Sequence, residues 1–290
     1  MNQTQPVVRF APSPNGELHL GHAYSALFTQ RKARELGARL LLRIEDIDLV
    51  RSRGEFVDAI YRDLAWLGLE WETPVRRQSE HFADYRVALD KLDAMGLLYA
   101  CFATRQEIRT AVADIPNHPA DPDGAPLYPG LSKRLSAEER AERLAASAPH
   151  ALRLDMARAI EAAGRPISFE EHERGPAGEH GTVAAGPAIW GDVIIARKEV
   201  KTSYHLSVVV DDALQGITDV TRGQDLFYAT HVHRLLQVLL GLPAPAYHHH
   251  ELVRDETGRR LSKRDKDQSL RSIRDSGVTP EEVRRRLGFD

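Results

Sequence analysis

The stretch from Arg9 to His22, RFAPSPNGELHLGH, constrains the fold more than any other part of this chain. The mostly apolar run at residues 7–11 overlaps its start and is typical of a short β-strand. Pro12 and Pro14 end that strand, since proline cannot donate a backbone hydrogen bond to a sheet. Asn15-Gly16 then favours a turn. The stretch therefore predicts a strand that leads through a turn into the next element.

That next element is predicted to be a helix from Ala23 to Leu36, because alanine and leucine recur there at three- and four-residue spacing, and Gly37 is its C-cap. A strand, a glycine-containing turn and a helix N-terminus form a geometry that receives phosphate, because free backbone N–H groups and the helix dipole point at the anion. His19 and His22 lie on one face of the first helical turn, where they can donate to phosphate oxygens in a transition state. An isolated HxxH pair is more often a metal pair or two solvated histidines. The phosphate hypothesis thus requires a second phosphate-binding element.

A basic segment led by glycine, GRRLSKR at residues 258–264, supplies that second element. Lys263 is a flexible cation on this segment and is suited to closing over a triphosphate. Without the N-terminal motif, Lys263 would be interpreted as one charge in the basic run at residues 259–266.

A cluster of acids, Glu45, Asp46 and Asp48, follows the apolar run at residues 39–44. That run is apolar enough to be a strand buried in a parallel sheet. Such clusters are often solvated turns. At the carboxyl end of a strand, however, open α/β sheets place their ligands. We therefore interpret Glu45 as a candidate functional residue.

Composition describes an ordinary globular chain of 290 residues with 42% apolar and 28% charged residues, enough for about two domains. The formal net charge of −3 gives no global positive field, so an RNA partner would have to bind local patches. Cys101 is the only cysteine, which favours a reducing compartment. No apolar run approaches about 18 residues and no signal peptide pattern is present, so we expect a cytoplasmic protein without a membrane partner.

Several segments of the chain together resemble one known family. PSPNGELHLGH and RRLSKR resemble the HIGH and KMSKS signatures of class I aminoacyl-tRNA synthetases, and LRIEDID at residues 42–48 resembles the LRIEDTD segment of their glutamyl and glutaminyl branch. YHL at residues 204–206 and TRGQDL at residues 221–226 resemble further elements of that branch. The resemblance implies ATP-dependent activation of L-glutamate, with Mg²⁺ carried by the ATP.

The resemblance also implies the architecture. We expect an α/β fold, a Rossmann-like nucleotide-binding fold with a parallel sheet, interrupted by an inserted α+β subdomain and ending in a short helical C-terminal region. The expected boundaries are residues 1–100 and 189–242 for the two halves of the catalytic domain and 101–188 for the insert. Residues 243–290 would carry the KMSKS-like loop and C-terminal helices, without an anticodon-binding domain.

Roles follow for individual residues by their match to the family motifs. His19, His22 and Lys263 are the expected catalytic residues, Arg9 would pair with the γ-carboxylate of glutamate, and Glu45 would hold its α-ammonium. The expected glutamate-binding residues are Arg9, Ala11, Ser13, Glu45, Tyr204 and Arg222, and the expected ATP-binding residues are Pro12, His19, Gly21, His22, Ser262 and Lys263.

Tyr204 and Arg222 can also be interpreted from the sequence without the family resemblance. Tyr204 would be interpreted as a half-buried strand aromatic, because Leu206–Val210 is predicted to be a strand. Arg222 is less ambiguous, since an arginine at a strand-to-helix junction beside a cleft suits a carboxylate ligand.

Two clusters raise the question of a metal. Short members of the branch hold zinc with Cys-x-Cys and a later Tyr-x-x-x-Cys, whereas this chain has the degenerate set Cys101, Ala103, Tyr128 and Ser132. Zinc sites use about four N, S or O ligands, so we expect no zinc. Consecutive residues of an extended segment point to alternate sides, so His248-His249-His250 is expected to be structural.

The chain ends soon after its KMSKS-like segment, whereas a full glutamyl-tRNA synthetase continues into an anticodon-binding domain. LHLGHAYSAL, IEDID and VTRGQDL resemble a shorter paralogous group of the branch. Members of that group activate glutamate without tRNA and esterify it to the queuosine base at the wobble position of aspartate tRNA. We expect the same activity here, with the anticodon stem-loop of queuosine-containing aspartate tRNA as partner and a monomeric protein.

Three alternatives stay open. The chain could be the catalytic half of an ordinary glutamyl-tRNA synthetase that charges the acceptor end of glutamate tRNA. It could be a nucleotidyltransferase or ligase for another small molecule, because the HxGH motif is shared on this fold. It could also be a non-catalytic RNA-binding protein, although the joint presence of His19, His22 and Lys263 argues against that.

Lys263→Ala is expected to lower kcat for adenylate formation by orders of magnitude, with a smaller change in glutamate affinity, because the cation acts on the triphosphate and not on the amino acid. Glutamate-dependent pyrophosphate exchange measures both quantities. Near-normal turnover in this variant would remove Lys263 from the mechanism.

Overall fold

The computed structural model describes residues 5–197, 200–253 and 269–289. The predicted first strand is β1 (Val7–Phe10), and the helix after the turn is α1 (Leu20–Leu36). Helix α1 begins three residues before the predicted Ala23, because His19 caps it with its side chain. Gly37 ends the helix in the left-handed region, with φ 60°, as the sequence predicts.

Strands and helices alternate along most of the remaining chain. They are β2 (Arg39–Ile44), α2 (Gly54–Trp66), β3 (Glu72–Arg77), α3 (Phe82–Ala94), β4 (Leu98–Cys101), α4 (Arg105–Val112), α5 (Ala137–Ala145), β5 (Ala151–Leu154), α6 (Met156–Ala163), β6 (Ser168–Glu171), β7 (Gly181–Ala184), β8 (Ile194–Ala196), α7 (Tyr204–Leu214), β9 (Asp219–Gly223), α8 (Ala229–Leu240), β10 (Ala246–His250), α9 (Leu270–Asp275) and α10 (Pro280–Arg286).

Seven strands form the main sheet in the order β3-β2-β1-β9-β10-β6-β7. Every neighbouring pair from β3 to β6 is parallel, and only β7 runs antiparallel to its neighbour β6. The carboxyl ends of β1, β2, β9 and β10 therefore meet at one edge. The predicted Rossmann-like α/β fold with a parallel sheet is confirmed.

A separate antiparallel sheet of β4, β5 and β8 has β5, a strand of the inserted region, at its centre. Its strands extend past the predicted insert boundaries at residues 101 and 188, because β4 begins at Leu98 and β8 ends at Ala196. The hairpin β6–β7, which lies within those boundaries, pairs instead with β10 of the main sheet. Pairing between strands so distant in sequence leaves no trace in local composition.

The strand predicted at Leu206–Val210 is wrong, because these residues lie in the helix α7. Ser203 caps this helix by accepting a hydrogen bond from the backbone N–H of Leu206. All residues from Leu206 to Asp212 are buried, so the run has no alternation of exposed and buried positions. A short apolar run of this kind does not distinguish a buried helix from a strand. Tyr204 consequently lies in the first turn of a helix.

Other helices also begin at capping residues that their sequence pattern indicates. Thr104-x-x-Glu107 and Ser136-x-x-Glu139 form capping boxes that begin α4 and α5, and Thr279 caps α10. Gly241 ends α8 in the left-handed region, with φ 66°. Within the described residues, no helix combines the length and apolar character that a bilayer crossing needs.

The C-terminal helices are fixed to the first half of the catalytic domain. Leu270, Ile273 and Val283 of α9 and α10 are buried in one cluster with residues of α1 and α2. The backbone N–H of Leu270 donates to the carbonyl of Leu18, 2.7 Å away, and Ser269 forms a β-bridge with His19. The chain therefore returns to the HxxH turn at Ser269.

Candidate active site

A cavity of about 450 Å³ opens at the carboxyl edge of β1, β2, β9 and β10. Its wall contains every predicted site residue that the described part of the chain includes, namely Arg9, Ala11, Pro12, Ser13, His19, Gly21, His22, Glu45, Tyr204 and Arg222. Ser262 and Lys263 lie outside the described residues. Val253, the last described residue before them, lines the cavity, and Ser269, the first after them, pairs with His19.

The two histidines of the HxxH turn lie ring against ring, with centroids 3.9 Å apart. Nδ1 of His19 accepts a hydrogen bond from the backbone N–H of Gly21 at 3.0 Å, and Nδ1 of His22 accepts one from the backbone N–H of His19 at 3.2 Å. In the neutral imidazole the proton is then on Nε2. Each ring is thus held in the tautomer whose Nε2–H is a donor, as contact with phosphate oxygens requires.

Gly21 permits this arrangement. A Cβ atom at this position would lie 2.9 Å from Cε1 of His19, closer than side chains approach in real structures. A larger residue would therefore displace the His19 ring from the helix N-terminus. The close approach of the His19 ring thus explains why the HxGH pattern has glycine at this position.

A chain of alternating charges runs behind the cavity. Nε of Arg9 donates to Oδ1 of Asp212 at 2.9 Å, and Nη1 of Arg43 donates to the same oxygen at 2.7 Å. Nη2 of Arg43 donates to Oε1 of Glu45 at 3.1 Å. Nη1 of Arg9 donates to the carbonyl of Thr221. The two groups expected to contact glutamate, Arg9 and Glu45, are thus held by Asp212 and Arg43.

Asp212 and Arg43 were not singled out from the sequence as functional residues. Arg43 is fully buried, and its side chain has no exposed surface. The available signal was an arginine inside an otherwise apolar strand, since a buried charge needs a partner. The sequence does not show which acid supplies that partner, because Asp212 lies 169 positions away.

The pKa values of Asp212 and Glu45 are shifted in opposite directions. Burial raises the pKa of Asp212, but the guanidinium groups of Arg9 and Arg43 outweigh burial and hold that pKa below its ordinary value. Burial also raises the pKa of Glu45, and here Arg43 and Arg9 offset burial only in part. Asp212 is therefore a fixed anion, whereas Glu45 is an acid whose ionised form gains from a cationic ligand.

Arg222 has surroundings unlike those of Arg9. Its guanidinium donates to Tyr204 Oη at 3.3 Å, to His233 Nδ1 at 3.1 Å, to Thr230 Oγ1 at 2.5 Å and to His249 Nε2 at 3.0 Å. None of these partners carries a negative charge. Burial lowers the pKa of His233 and brings that of His249 to about 4, so both imidazoles are neutral near pH 7.

The positions of the degenerate zinc set do converge, but they do not fit a zinc ion. Nε of Arg153 donates to Cys101 Sγ at 3.3 Å, and the guanidinium carbon lies 4.1 Å from the centre of the Tyr128 ring. Ser132 Oγ accepts from the backbone N–H of Phe102, and Ala103 has no ligating atom. A cation of the protein itself thus contacts the one thiol. No group of three or more His, Cys, Asp or Glu residues in the described ranges could hold a metal ion.

The three consecutive histidines lie in β10, and each side chain has its own contact. His248 Nε2 lies 2.9 Å from Asp219 Oδ1, His249 Nδ1 lies 2.5 Å from Glu171 Oε2, and His250 Nδ1 bonds to the carbonyl of Glu251. The three rings do not converge on one point, as expected for an extended segment. All three are part of the packed structure, and His250 also lines the cavity.

A larger cavity of about 740 Å³ adjoins the first. Tyr204, Asp225 and Leu226 line both cavities. The wall of the larger cavity combines parts of the insert with α7 and α8, including Asp121, residues 123–128, Arg153 and His205. A reactive group bound in the smaller cavity would therefore lie beside a space large enough for a second substrate.

Asp212→Asn is expected to lower the free energy of unfolding by about 3–5 kcal/mol, because two buried guanidinium groups lose their shared anion. Urea denaturation of the wild-type protein and of the Asp212→Asn variant measures this difference. Glu72→Gln is the control, since it removes the partner of the exposed Arg39 and should change stability little. Equal losses in the two variants would contradict the role of the buried pair.

The free energy of unfolding is expected to fall as the pH is lowered from about 6.5 to about 4, in part because burial lowers the pKa of His205 from 6.5 to about 4. In this window the unfolded chain binds a proton that the folded chain excludes, so folding loses stability. His205→Gln should reduce that fall by on the order of 1–3 kcal/mol. The exposed His180→Gln is the control, and equal pH slopes in both variants would count against a neutral His205.

Comparisons with known proteins agree with this geometry. The family model of class I tRNA synthetases (E and Q), catalytic domain, matches residues 6–289. A glutamyl-Q tRNA(Asp) synthetase of Rhodobacter capsulatus is 46% identical over 98% of this chain and 100% of the relative. A glutamyl-Q tRNA(Asp) synthetase of Nocardia farcinica is 41% identical over 95% of this chain and 81% of the relative.

Among solved structures, the glutamate-tRNA synthetase of Elizabethkingia anophelis superposes with a TM-score of 0.73 at 27% identity, covering 91% of this chain. This chain spans about half of that protein, 54% of its length. The family model matches nearly all residues, and one relative is 46% identical over its full length. The chain belongs to the family of class I tRNA synthetases (E and Q), and the matched residues are its catalytic domain.

Proposed function

We propose that this protein activates L-glutamate with ATP to glutamyl-adenylate without needing tRNA. It then transfers the glutamate to the queuosine base at the wobble position of aspartate tRNA. The observation that carries the proposal is the meeting of ten predicted site residues in one cavity, in a chain similar over its whole length to glutamyl-Q tRNA(Asp) synthetases. ATP and tRNA are both cytoplasmic, and we place the reaction there.

The charges of the smaller cavity suit glutamate, which has two carboxylates and one ammonium. Arg9 and Arg222 bring two guanidinium groups to the cavity, and Tyr204 adds a hydroxyl that accepts from Arg222. Glu45 brings the carboxylate for the ammonium, and that contact would stabilise its ionised form. Ser13 adds a hydroxyl, and Ala11 leaves room at the wall.

The nucleotide end of the cavity is the HxxH turn at the N-terminus of α1. In the proposed reaction the glutamate carboxylate attacks the α-phosphate of ATP and pyrophosphate leaves. His19 and His22 donate to the phosphates from their Nε2–H groups, and the 17-residue α1 directs its N-terminal dipole at the same place. Pro12 and Gly21 shape the wall. By their match to the family motif, Ser262 and Lys263 are also proposed to act on the triphosphate. Mg²⁺ enters with ATP as part of the substrate, and zinc takes no step.

The larger cavity is the proposed site of the acceptor. Transfer requires that a hydroxyl of the acceptor reach the adenylate, and Tyr204, Asp225 and Leu226 are the boundary between the two spaces. Its volume of about 740 Å³ accommodates a modified nucleoside. Since one chain supplies both cavities, the proposed functional unit is a monomer.

A second candidate is charging of glutamate tRNA at its acceptor end. The likeness to a solved glutamate-tRNA synthetase, at a TM-score of 0.73, favours it. Both candidates share the first half of the reaction and differ only in the acceptor, so a test must compare acceptors.

The first test is ATP–pyrophosphate exchange in the absence of tRNA, with glutamate, glutamine or aspartate. Exchange with glutamate and not with glutamine is expected, because two guanidinium groups favour a second carboxylate that glutamine lacks. Aspartate has both carboxylates on a side chain one carbon shorter, and weaker exchange than with glutamate is expected. No exchange with any of the three amino acids would refute the proposed activation step.

The second test is transfer of labelled glutamate to three RNAs: aspartate tRNA with queuosine, the same tRNA from queuosine-deficient cells, and glutamate tRNA. Labelling of the first RNA alone is expected. Labelling of glutamate tRNA alone would replace the proposal with the second candidate.

Arg9→Lys is a useful variant, since a lysine keeps the charge but cannot form the two contacts with Asp212 and Thr221, and reduced glutamate exchange is expected.

A further inference from the structure

Arg222 is a buried cation, and no carboxylate among the described residues forms an ion pair with its guanidinium. It is 6% exposed at the end of β9, and each hydrogen bond it makes within the described part of the chain goes to an uncharged acceptor. Arg9, by contrast, contacts the carboxylate of Asp212 directly. An isolated buried charge is costly, so something must hold Arg222 in place.

His249 holds the guanidinium of Arg222 in place, and the contacts of its ring determine its tautomer. Its Nε2 lies 3.0 Å from Nε of Arg222, which can only donate, so Nε2 must be the unprotonated acceptor. The neutral ring then carries its proton on Nδ1, and this atom lies 2.5 Å from Oε2 of Glu171. Each proton has one allowed place along the line from Glu171 through His249 to Arg222.

Three parallel strands bring these residues together. His249 of β10 is in register with Arg222 of β9, and on the other side β10 pairs with β6, which ends at Glu171. Glu171 has no exposed surface. Its Oε1 accepts from the backbone N–H of His249 at 3.1 Å and of Glu173 at 3.0 Å. Neither Glu171 nor His249 is among the described residues that line the active-site cavity.

We propose that Glu171 and His249 are positioning residues that orient the guanidinium of Arg222 as a receptor for a substrate carboxylate. The imidazole fixes the direction of the guanidinium and keeps the Glu171 carboxylate one ring away. Coulomb attraction weakens with distance, so Arg222 keeps more of its charge for a ligand than it would beside a carboxylate. The inference rests on the proposed function for the identity of that ligand as glutamate.

Glu171→Gln tests this arrangement because it changes which nitrogen of His249 can carry the proton. If the amide oxygen keeps both backbone N–H contacts, the amide NH₂ faces Nδ1 of His249, and the ring must move its proton to Nε2, against Arg222. If the amide turns over, NH₂ faces two backbone N–H donors. The first arrangement has fewer opposed donors, so the variant should carry the wrong tautomer and a displaced guanidinium.

The expected result is a rise of roughly 10- to 100-fold in the KM for glutamate in pyrophosphate exchange, with the KM for ATP unchanged. Glu170→Gln is the matched control, since Glu170 is the preceding residue of β6 and is exposed. A folded Glu171→Gln protein with an unchanged KM for glutamate would overturn the proposal. A purely structural role would lower the melting temperature without separating the two KM values.

The tautomer of His249 is measured independently of activity, by long-range ¹H–¹⁵N correlation in the ¹⁵N-histidine-labelled wild-type protein, with His249→Gln for assignment. Protonated Nδ1 and unprotonated Nε2 at neutral pH support the proposal, and protonated Nε2 refutes it. If the wild-type protein shows no glutamate-dependent exchange, the proposed function fails, and this measurement still decides the proton arrangement. It also decides the case of a Glu171→Gln protein that does not fold.

Discussion

The bond between Asp212 and two arginines is the interaction on which the site depends. Arg43 is fully buried in the second strand, and a charge in that position is tolerable only with an anion in contact. The same oxygen of Asp212 also accepts from Arg9 of the first strand. One carboxylate from α7 therefore joins both strands of the first βαβ unit to the second half of the catalytic domain. Arg9 contacts this carboxylate directly and Glu45 is linked to it through Arg43, so the positions of both cavity residues depend on it.

The two arginines of the cavity illustrate two ways to present a guanidinium. Arg9 shares a carboxylate with Arg43 and is thereby fixed but partly neutralised. Arg222 is fixed by four uncharged side chains, those of Tyr204, Thr230, His233 and His249. A ligand with two carboxylates would meet unequal fields at its two ends. The asymmetry gives a physical basis for orienting a molecule as small as glutamate.

The sequence predicts the parts of this structure that local chemistry determines. The turn from β1 into α1, the capping boxes at Thr104 and Ser136, and the glycine ends at Gly37 and Gly241 all depend on residues within a few positions of each other. The run at Leu206–Val210 was predicted as a strand because burial on all sides removes the periodicity that distinguishes the two elements. The sequence does not single out Asp212, Glu171 and His249, since their contacts join strands and a helix that are distant in the chain. The family motifs located the cavity wall, but they did not reveal the residues behind it.

Tyr204, Asp225 and Leu226 face both the smaller and the larger cavity. In an enzyme of the proposed function, these positions serve two molecules at once, and a substitution that enlarges one compartment reduces the other. Divergence towards a new acceptor is therefore expected in the wall that only the larger cavity has, which includes Asp121, residues 123–128 and residues of α4. Relatives that share an amino acid and differ in their RNA should vary there while the partition between the compartments stays the same.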